Sequence, residues 1–244
     1  MKFTKMQGTG NDYVYINCFE ETVERPEELA VKVSDRHFGI GSDGLILICP
    51  SGQADCRMKM FNADGSESEM CGNGSRCVGK YVYDHHIVEK DEFDVETKAG
   101  IKHLKVTDEG GKAVLITVDM GIPEVTGEVP EPITIDGRSY EFIGISMGNP
   151  HAIYYMDEID GLDLEAMGPA FETHERFPER TNSEFIQVID RSHLHMRVWE
   201  RGSGETWACG TGATASAVAS VLSGRTENTV EVELKGGILS ITWD

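Results

Sequence analysis

The sequence predicts an α+β fold of two similar domains, each a mixed β-sheet curled around a central apolar helix, the two related by pseudo-two-fold symmetry. Strand-like runs outnumber helical ones and do not alternate regularly with them. One helical run, "ATASAVASVLSG", is too small and too apolar on every side for a surface helix, so it belongs in a core with sheet around it. Chemically similar residues also recur 138 positions apart: Asn11 and Asn149, Asn62 and Glu200, Cys71 and Cys209. Arg57 to Phe61 and His195 to Trp199 keep that register, as do Glu67 and Glu205. A period this long is far beyond a solenoid repeat and implies a duplicated domain.

Taken in order, "DYVYINCF" and "LILICP" are short strands built from β-branched and aromatic residues. Between them "RPEELAVKVSDRHFG" is a helix, with Pro26 at its start and a glycine beyond its end. "DCRMKMFN" alternates as a strand. The stretch after Cys71 is helical, since Cys77, Val78, Tyr81 and Val82 line one face. "DEFDVETKAGIKHLKVTDEGGKAVLITVDMG" is a run of strands separated by glycine turns. The second half repeats the theme with "EFIGISMGNPHAIYY", a helix in "DLEAMGPAFETHERFP" interrupted near Gly168 and Pro169, the strands "SEFIQVI" and "HLHMRVWE", and the apolar helix. The expected division places residues 1–112 in the first domain and 113–235 in the second, with the terminal strand 236–244 returning to the first sheet.

A chain of 244 residues suffices for two such domains. Its formal charge of −20 repels nucleic acid and anionic membrane surfaces, so neither is an expected partner. No apolar stretch reaches signal-peptide or membrane-spanning length, which makes cytoplasmic residence the expectation. Six cysteines without a CxxC pair, and eight histidines without HExxH, suggest neither a disulfide scaffold nor a structural metal.

"ESEMCGNGSRCVGKYV" and "ETWACGTGATASAVAS" each set a thiol at the mouth of a helix. Unpaired N–H groups and the helix dipole stabilise an anion there and lower a thiol from its usual value of about 8.5. The following glycines let a ligand approach the main chain, so Gly72 with Asn73, and Gly210 with Thr211, are candidate donors to a carboxylate. Cys18, Cys49, Cys56 and Cys77 are taken as small buried hydrophobes. Two matched thiols suit a symmetric task. Inversion at a carbon acid is one: a thiolate takes the α-proton from one face while a thiol supplies another from the opposite face. No lysine is singled out as a Schiff-base residue, and no cofactor is expected.

With "KMQGTGNDYV", "HFGIGSDGL", "FNADGSESEMCGNGSRC", "MGNPHAI", "FPERTN", "WERGSGETWACGTGA" and "GGILSITW", the chain resembles the diaminopimelate epimerase family over almost its whole length. The resemblance implies two domains facing across a cleft that binds a small diamino dicarboxylate, LL- or meso-diaminopimelate. It implies a cofactor-independent reaction in lysine and cell-wall precursor synthesis, and a homodimer. It marks Cys71 and Cys209 as the two bases. Gly72, Asn73, Gly210 and Thr211 would cradle the reacting carboxylate, while Asn11, Asn62, Asn149, Asn182, Glu200 and Arg201 would hold the rest of the substrate. A carboxylate suits an ammonium, and a guanidinium grips a carboxylate. His151, in "NPH", is expected to orient a neighbour rather than transfer a proton.

Other readings are weaker. "GIGSDG" satisfies GxGxxG, but a helix precedes it and a strand follows, the reverse of a dinucleotide site. A non-catalytic metabolite-binding module would keep the fold and make the thiols structural. Racemases of proline or hydroxyproline share the fold, yet "PERTN" and "WERGSGET" favour a substrate with a second amino-acid centre.

Overall fold

The computed structural model describes all residues 1–244, which divide into two compact units, Met1–Asp119 and Met120–Asp244. The first unit contains β1 (Thr4–Gly8), β2 (Asn11–Asn17), α1 (Pro26–Ser34), β3 (Gly44–Cys49), β4 (Cys56–Asn62), β5 (Glu67–Ser68), α2 (Gly72–Asp84), β6 (Glu92–Thr97), β7 (Gly100–Glu109) and β8 (Lys112–Val118). Its sheet runs β1-β2-β3-β4-β6-β7-β8, with β5 beside β4. The pairs β2/β3 and β4/β6 are parallel, and α1 and α2 lie on the connections those parallel pairs require.

The second unit contains β9 (Glu124–Val125), β10 (Glu131–Ile135), β11 (Arg138–Ser146), β12 (Pro150–Tyr155), α3 (Leu164–Glu172), β13 (Asn182–Val188), β14 (His193–Glu200), β15 (Gly204–Thr206), α4 (Gly210–Leu222), β16 (Thr229–Leu234) and β17 (Gly237–Thr242). Its sheet runs β10-β11-β12-β13-β14-β16-β17, again with the second and fourth links of the shared six-strand core parallel. The register of 138 holds to the residue for both helix pairs: α1 and α3 match at each end, and so do α2 and α4.

In each unit the sheet is covered on two faces, which explains strands that are apolar at consecutive positions. Tyr15 and Ile46 face α2, through Val78 and Val82, while Val14, Ile16, Leu45 and Leu47 face α1 through Ala30 and Val33. In the second unit Phe185 joins Leu164 and Phe171 of α3, and Ile186 joins the alanines of α4. As expected for a central helix, α4 packs against β11, β12, β13, β16 and β17. Its small residues allow strands on several sides to come close. Its two buried serines close their own polar accounts: Ser216 donates to Gly212 O and Ser220 to Ser216 O, both at 2.7 Å.

Three expectations change. The first unit extends past residue 112, because β8 pairs antiparallel with β7. The terminal strand β17 pairs antiparallel with β16 and so belongs to the second sheet rather than the first. In both cases pairing with the preceding strand through a short turn wins over a return across the chain. Finally, α3 is not interrupted at Gly168 and Pro169. Pro169 forfeits one helical donor, and Gly168 offers the flat surface on which Trp199 sits, since a Cβ there would lie 2.2 Å from the indole.

Candidate active site

Each unit builds a thiol site from the same three parts: a left-handed glycine, an asparagine that begins or immediately precedes a strand, and a helix capped by cysteine. Gly10 (φ 84°) precedes Asn11, and Gly148 (φ 93°) precedes Asn149, a backbone conformation that costs glycine nothing and turns the asparagine toward the helix start. Cys71 and Cys209 have extended backbones and act as N-caps. Gly74 N–H donates to Cys71 Sγ at 3.4 Å and Gly212 N–H to Cys209 Sγ at 3.3 Å.

In the first unit the Cys71 thiol donates to Asn11 Oδ1 at 3.3 Å. Asn11 is braced in turn, its Nδ2 donating to Asp43 Oδ2 at 2.6 Å. Arg36 bridges Asp43 and Asp12, and Lys5 reaches Asp12 at 2.9 Å. Burial raises the Asp12 carboxyl, but the Arg36 and Lys5 bonds outweigh it and leave the group below its usual range. The "GIGSDG" loop thus serves to hold Asn11; it follows α1 and leads into β3 as expected. Asn73, buried in the first turn of α2, accepts from Thr9 Oγ1 at 3.2 Å and Arg76 Nη2 at 2.7 Å. Burial pushes the Arg76 guanidinium down, and negative charge on Cys71 would oppose that shift. Gly72 opens the helix. Asn62 ends β4 and donates to Ser66 Oγ at 3.0 Å.

The second unit is more charged. Cys209 is buried, and Thr211 Oγ1 lies 3.5 Å from its sulfur. Asn149 Nδ2 donates to Thr211 Oγ1 at 3.3 Å, and Asn149 Oδ1 faces His151 Nε2 at 3.1 Å. His151 Nδ1 meets Glu184 Oε1 at 2.7 Å, both side chains being wholly buried. Glu200, at the end of β14, accepts a short bond from Thr206. Burial raises Glu200, with Glu184 adding to the effect and Thr206 opposing it. Burial, then the Glu200 and Glu184 carboxylates, push the Cys209 thiol well above its ordinary value, against opposing bonds from Thr211 and Gly212. Asn182 starts β13 and joins Pro150 O (2.8 Å) to Arg201 N–H (2.9 Å). The Arg201 guanidinium donates to Glu179 O at 3.3 Å and is exposed, and Gly210 begins α4.

Donor atoms of His151, Glu184 and Cys209 fall within 4.8 Å of one another, the spacing of a cation site. Hydrogen bonds already engage them: His151 on both nitrogens, Cys209 from Gly212, Glu184 through Oε1. The arrangement is therefore that of an orienting chain. Sequence reading missed Asp43, Arg76, Thr206 and Glu184. Glu184 had a readable signal, a carboxylate 138 positions after Ile46 in a strand that is otherwise core.

Two thiols at helix starts within duplicated α+β units place the molecule in a fold class that includes racemases and epimerases. A solved structure described as a probable proline racemase from Agrobacterium radiobacter K84 gives a TM-score of 0.75 at 15% identity, covering 98% of this chain and 83% of that one. A hydroxyproline epimerase from Agrobacterium vitis gives 0.71 at 15% identity, covering 98% and 82%. A PhzF-family phenazine biosynthesis protein from Bacillus anthracis gives 0.72 at 18%, covering 98% and 87%. These likenesses show a shared fold.

The sequence comparisons are narrower. A family profile described as diaminopimelate epimerase matches residues 3–126 and 143–244, passing over β10, which has no counterpart in the first unit. The diaminopimelate epimerase of Desulfovibrio desulfuricans is 58% identical, over 100% of this chain and 91% of its own length. That of Acetivibrio thermocellus is 57% identical with the same coverage. The chain belongs to the diaminopimelate epimerase family.

Proposed function

We propose that the chain interconverts LL- and meso-2,6-diaminopimelate by removing and replacing one α-proton, with Cys71 and Cys209 acting on opposite faces of the reacting carbon. The observation that carries this is the paired N-cap: two thiols 138 residues apart, each accepting a hydrogen bond from the glycine three positions on. Family membership supplies the substrate.

Burial among carboxylates keeps Cys209 a thiol at neutral pH, the form needed to deliver a proton. Cys71, the N-cap of α2 with the Arg76 guanidinium as a charged neighbour, is then the base in that direction. When Cys71 takes the α-proton and Cys209 gives one up, the two have exchanged states, ready for the reverse reaction. First-turn N–H groups at Gly72, Asn73, Gly210 and Thr211 receive the substrate carboxylate and stabilise the charge that builds on it, an effect of about 10²–10³ in rate per donor. Asn11, Asn62, Asn149, Asn182, Glu200 and Arg201 hold the amino and distal carboxylate groups. No step calls on a cofactor or metal. A cytoplasmic homodimer belongs to the same proposal and is supported by family membership; sedimentation tests the dimer.

The test is incubation of reduced protein with LL-diaminopimelate in deuterated water. Formation of the meso isomer with deuterium at one α-carbon is expected. Cys71→Ala and Cys209→Ala should each abolish turnover while binding persists. A folded, reduced protein that incorporates no deuterium would refute the proposal, and turnover surviving in either alanine variant would remove that thiol from it.

A further inference from the structure

The two units differ beneath their thiols. In the first, the slot under Cys71 is apolar: a Cβ on Gly74 would lie 2.8 Å from Ile46 Cδ1 and 3.1 Å from Met58 Cε. In the second, the residue in register with Ile46 is Glu184, and the one in register with Tyr13 is His151. A Cβ on Gly212 would lie 2.5 Å from Glu184 Oε1 and 3.2 Å from Cys209 Sγ. A buried carboxylate–imidazole pair thus occupies a place where the other copy of the fold has an isoleucine and a tyrosine.

Such a pair is a poor stabiliser, because desolvating both groups offsets most of their attraction. Glu184 is poorer still, since Oε2 is buried with no hydrogen-bond partner. Fold stability does not account for it, and its geometry points elsewhere. Glu184 Oε1 holds His151 Nδ1, His151 Nε2 faces Asn149 Oδ1, and Asn149 Nδ2 is thereby left to Thr211 Oγ1. With its oxygen accepting from Asn149, Thr211 has its own hydrogen for Cys209, 3.5 Å away. Both nitrogens of His151 face oxygen atoms, Glu184 Oε1 and Asn149 Oδ1, which fixes the plane of the ring.

We propose that Glu184 is a positioning residue for the epimerisation, acting through His151 to fix the Asn149–Thr211 pair against Cys209. The role rests on the proposed reaction, and on the charged groups around the sulfur: His151 from β12, Glu184 from β13 and Glu200 from β14.

Glu184→Gln keeps the shape and removes the charge. It should lower kcat by about 10–100-fold while KM changes less than about 3-fold, as expected when an orienting contact rather than a binding contact is lost. The limb of the pH profile that reports Cys209 should move to lower pH, since a carboxylate that opposes the thiolate is gone. Glu184→Gln combined with His151→Gln should lose no more than His151→Gln alone, because the two act in one chain. Wild-type kcat and pH profile in Glu184→Gln, or losses that multiply in the double variant, would overturn the proposal. One readout is independent of turnover: a slowly exchanging imidazole N–H proton of His151, present in the NMR spectrum of the wild type and lost or shifted in Glu184→Gln. If that proton changes while the wild type itself fails to exchange deuterium, the fault lies in the assigned reaction and not in the contact. If Glu184→Gln does not fold, His151→Tyr with Glu184→Ile transplants the uncharged Tyr13–Ile46 pair of the first unit. Retained kcat in that variant would overturn the proposal, and lost kcat with retained substrate binding would support it.

Discussion

Asn11 receives the Cys71 thiol hydrogen on Oδ1 at 3.3 Å while its Nδ2 is anchored to Asp43 at 2.6 Å. The amide is therefore oriented by the carboxylate: with its nitrogen spoken for, only its oxygen can face the sulfur. Asn11→Ala should cut kcat by about 10–100-fold, within the range for groups that manage a catalytic proton. Asp43→Ala should reproduce much of that loss without touching the thiol, because the amide is then free to turn. Steady-state kinetics in both reaction directions check this. An Asp43→Ala enzyme with unchanged kcat would show that the brace has no part in catalysis.

Cys56 and Cys18 are pushed up to about 12, by burial first in each case, and by Cys49 next for Cys18. The folded chain keeps protons on these thiols that the unfolded chain releases near 9.0. Their contribution to stability is complete below about pH 9 and is lost as pH rises toward about 12. Buried Cys56 alone gives a slope of about 1.4 kcal/mol per pH unit in that window. Urea unfolding from pH 7 to 10.5 should show the decline beginning near pH 9, and a shallower one in Cys56→Ala. A flat profile would contradict the assigned burial.

Glu200 carries the opposite consequence at neutral pH. Burial raises its carboxyl, so its favourable contribution is present at acid pH, below about 4.5, and lost as pH rises through the raised value. Glu200→Gln should be more stable than the wild type at pH 7.5, and the difference should close by pH 4. Activity should fall by at least about 100-fold, since Glu200 is proposed to hold the substrate ammonium. Thermal melts at the two pH values, alongside turnover, decide it; a less stable Gln variant at pH 7.5 would mean that the Thr206 bond outweighs the desolvation.

These effects separate what the sequence makes legible from what it hides. Cys71 and Cys209 could be read as helix caps because capping is local: a thiol, two glycines and an apolar run suffice. The shared register then matched β2, β3 and β4 with β12, β13 and β14 and both helix pairs, and it slips by one residue at β6 and β16. Pairings that depend on distant strands were less accessible. Nothing in "GGILSITWD" says which sheet it joins, and the hairpin with β16 decides it in space. Glu184 was missed for a different reason: a lone carboxylate in "NSEFIQV" looks like a solvated position unless it is set against Ile46 in the repeat. Asp43 was masked by the glycine pattern around it, which drew attention to the loop's backbone and away from its side chain.

Gly74 and Gly212 provide the sharpest comparison between the two sites. They occupy the same position in matched helices, and a methyl group on either would gain the modest helix propensity of alanine over glycine. At Gly74 the new Cβ meets Ile46 Cδ1 at 2.8 Å and Met58 Cε at 3.1 Å, the far ends of flexible apolar side chains that yield by small rotations. At Gly212 it meets Glu184 Oε1 at 2.5 Å, and that oxygen is pinned to His151 in a fully buried pair. Yielding there means breaking the pair or displacing Cys209. Gly212→Ala should therefore cost about 1–3 kcal/mol, the usual penalty of overpacking, and lower kcat by more than about 10-fold. Gly74→Ala should cost under about 1 kcal/mol and keep most of its activity. Denaturant titration and kinetics on the two variants make the comparison, and equal losses at both positions would mean that the carboxylate beneath Cys209 yields as readily as hydrocarbon.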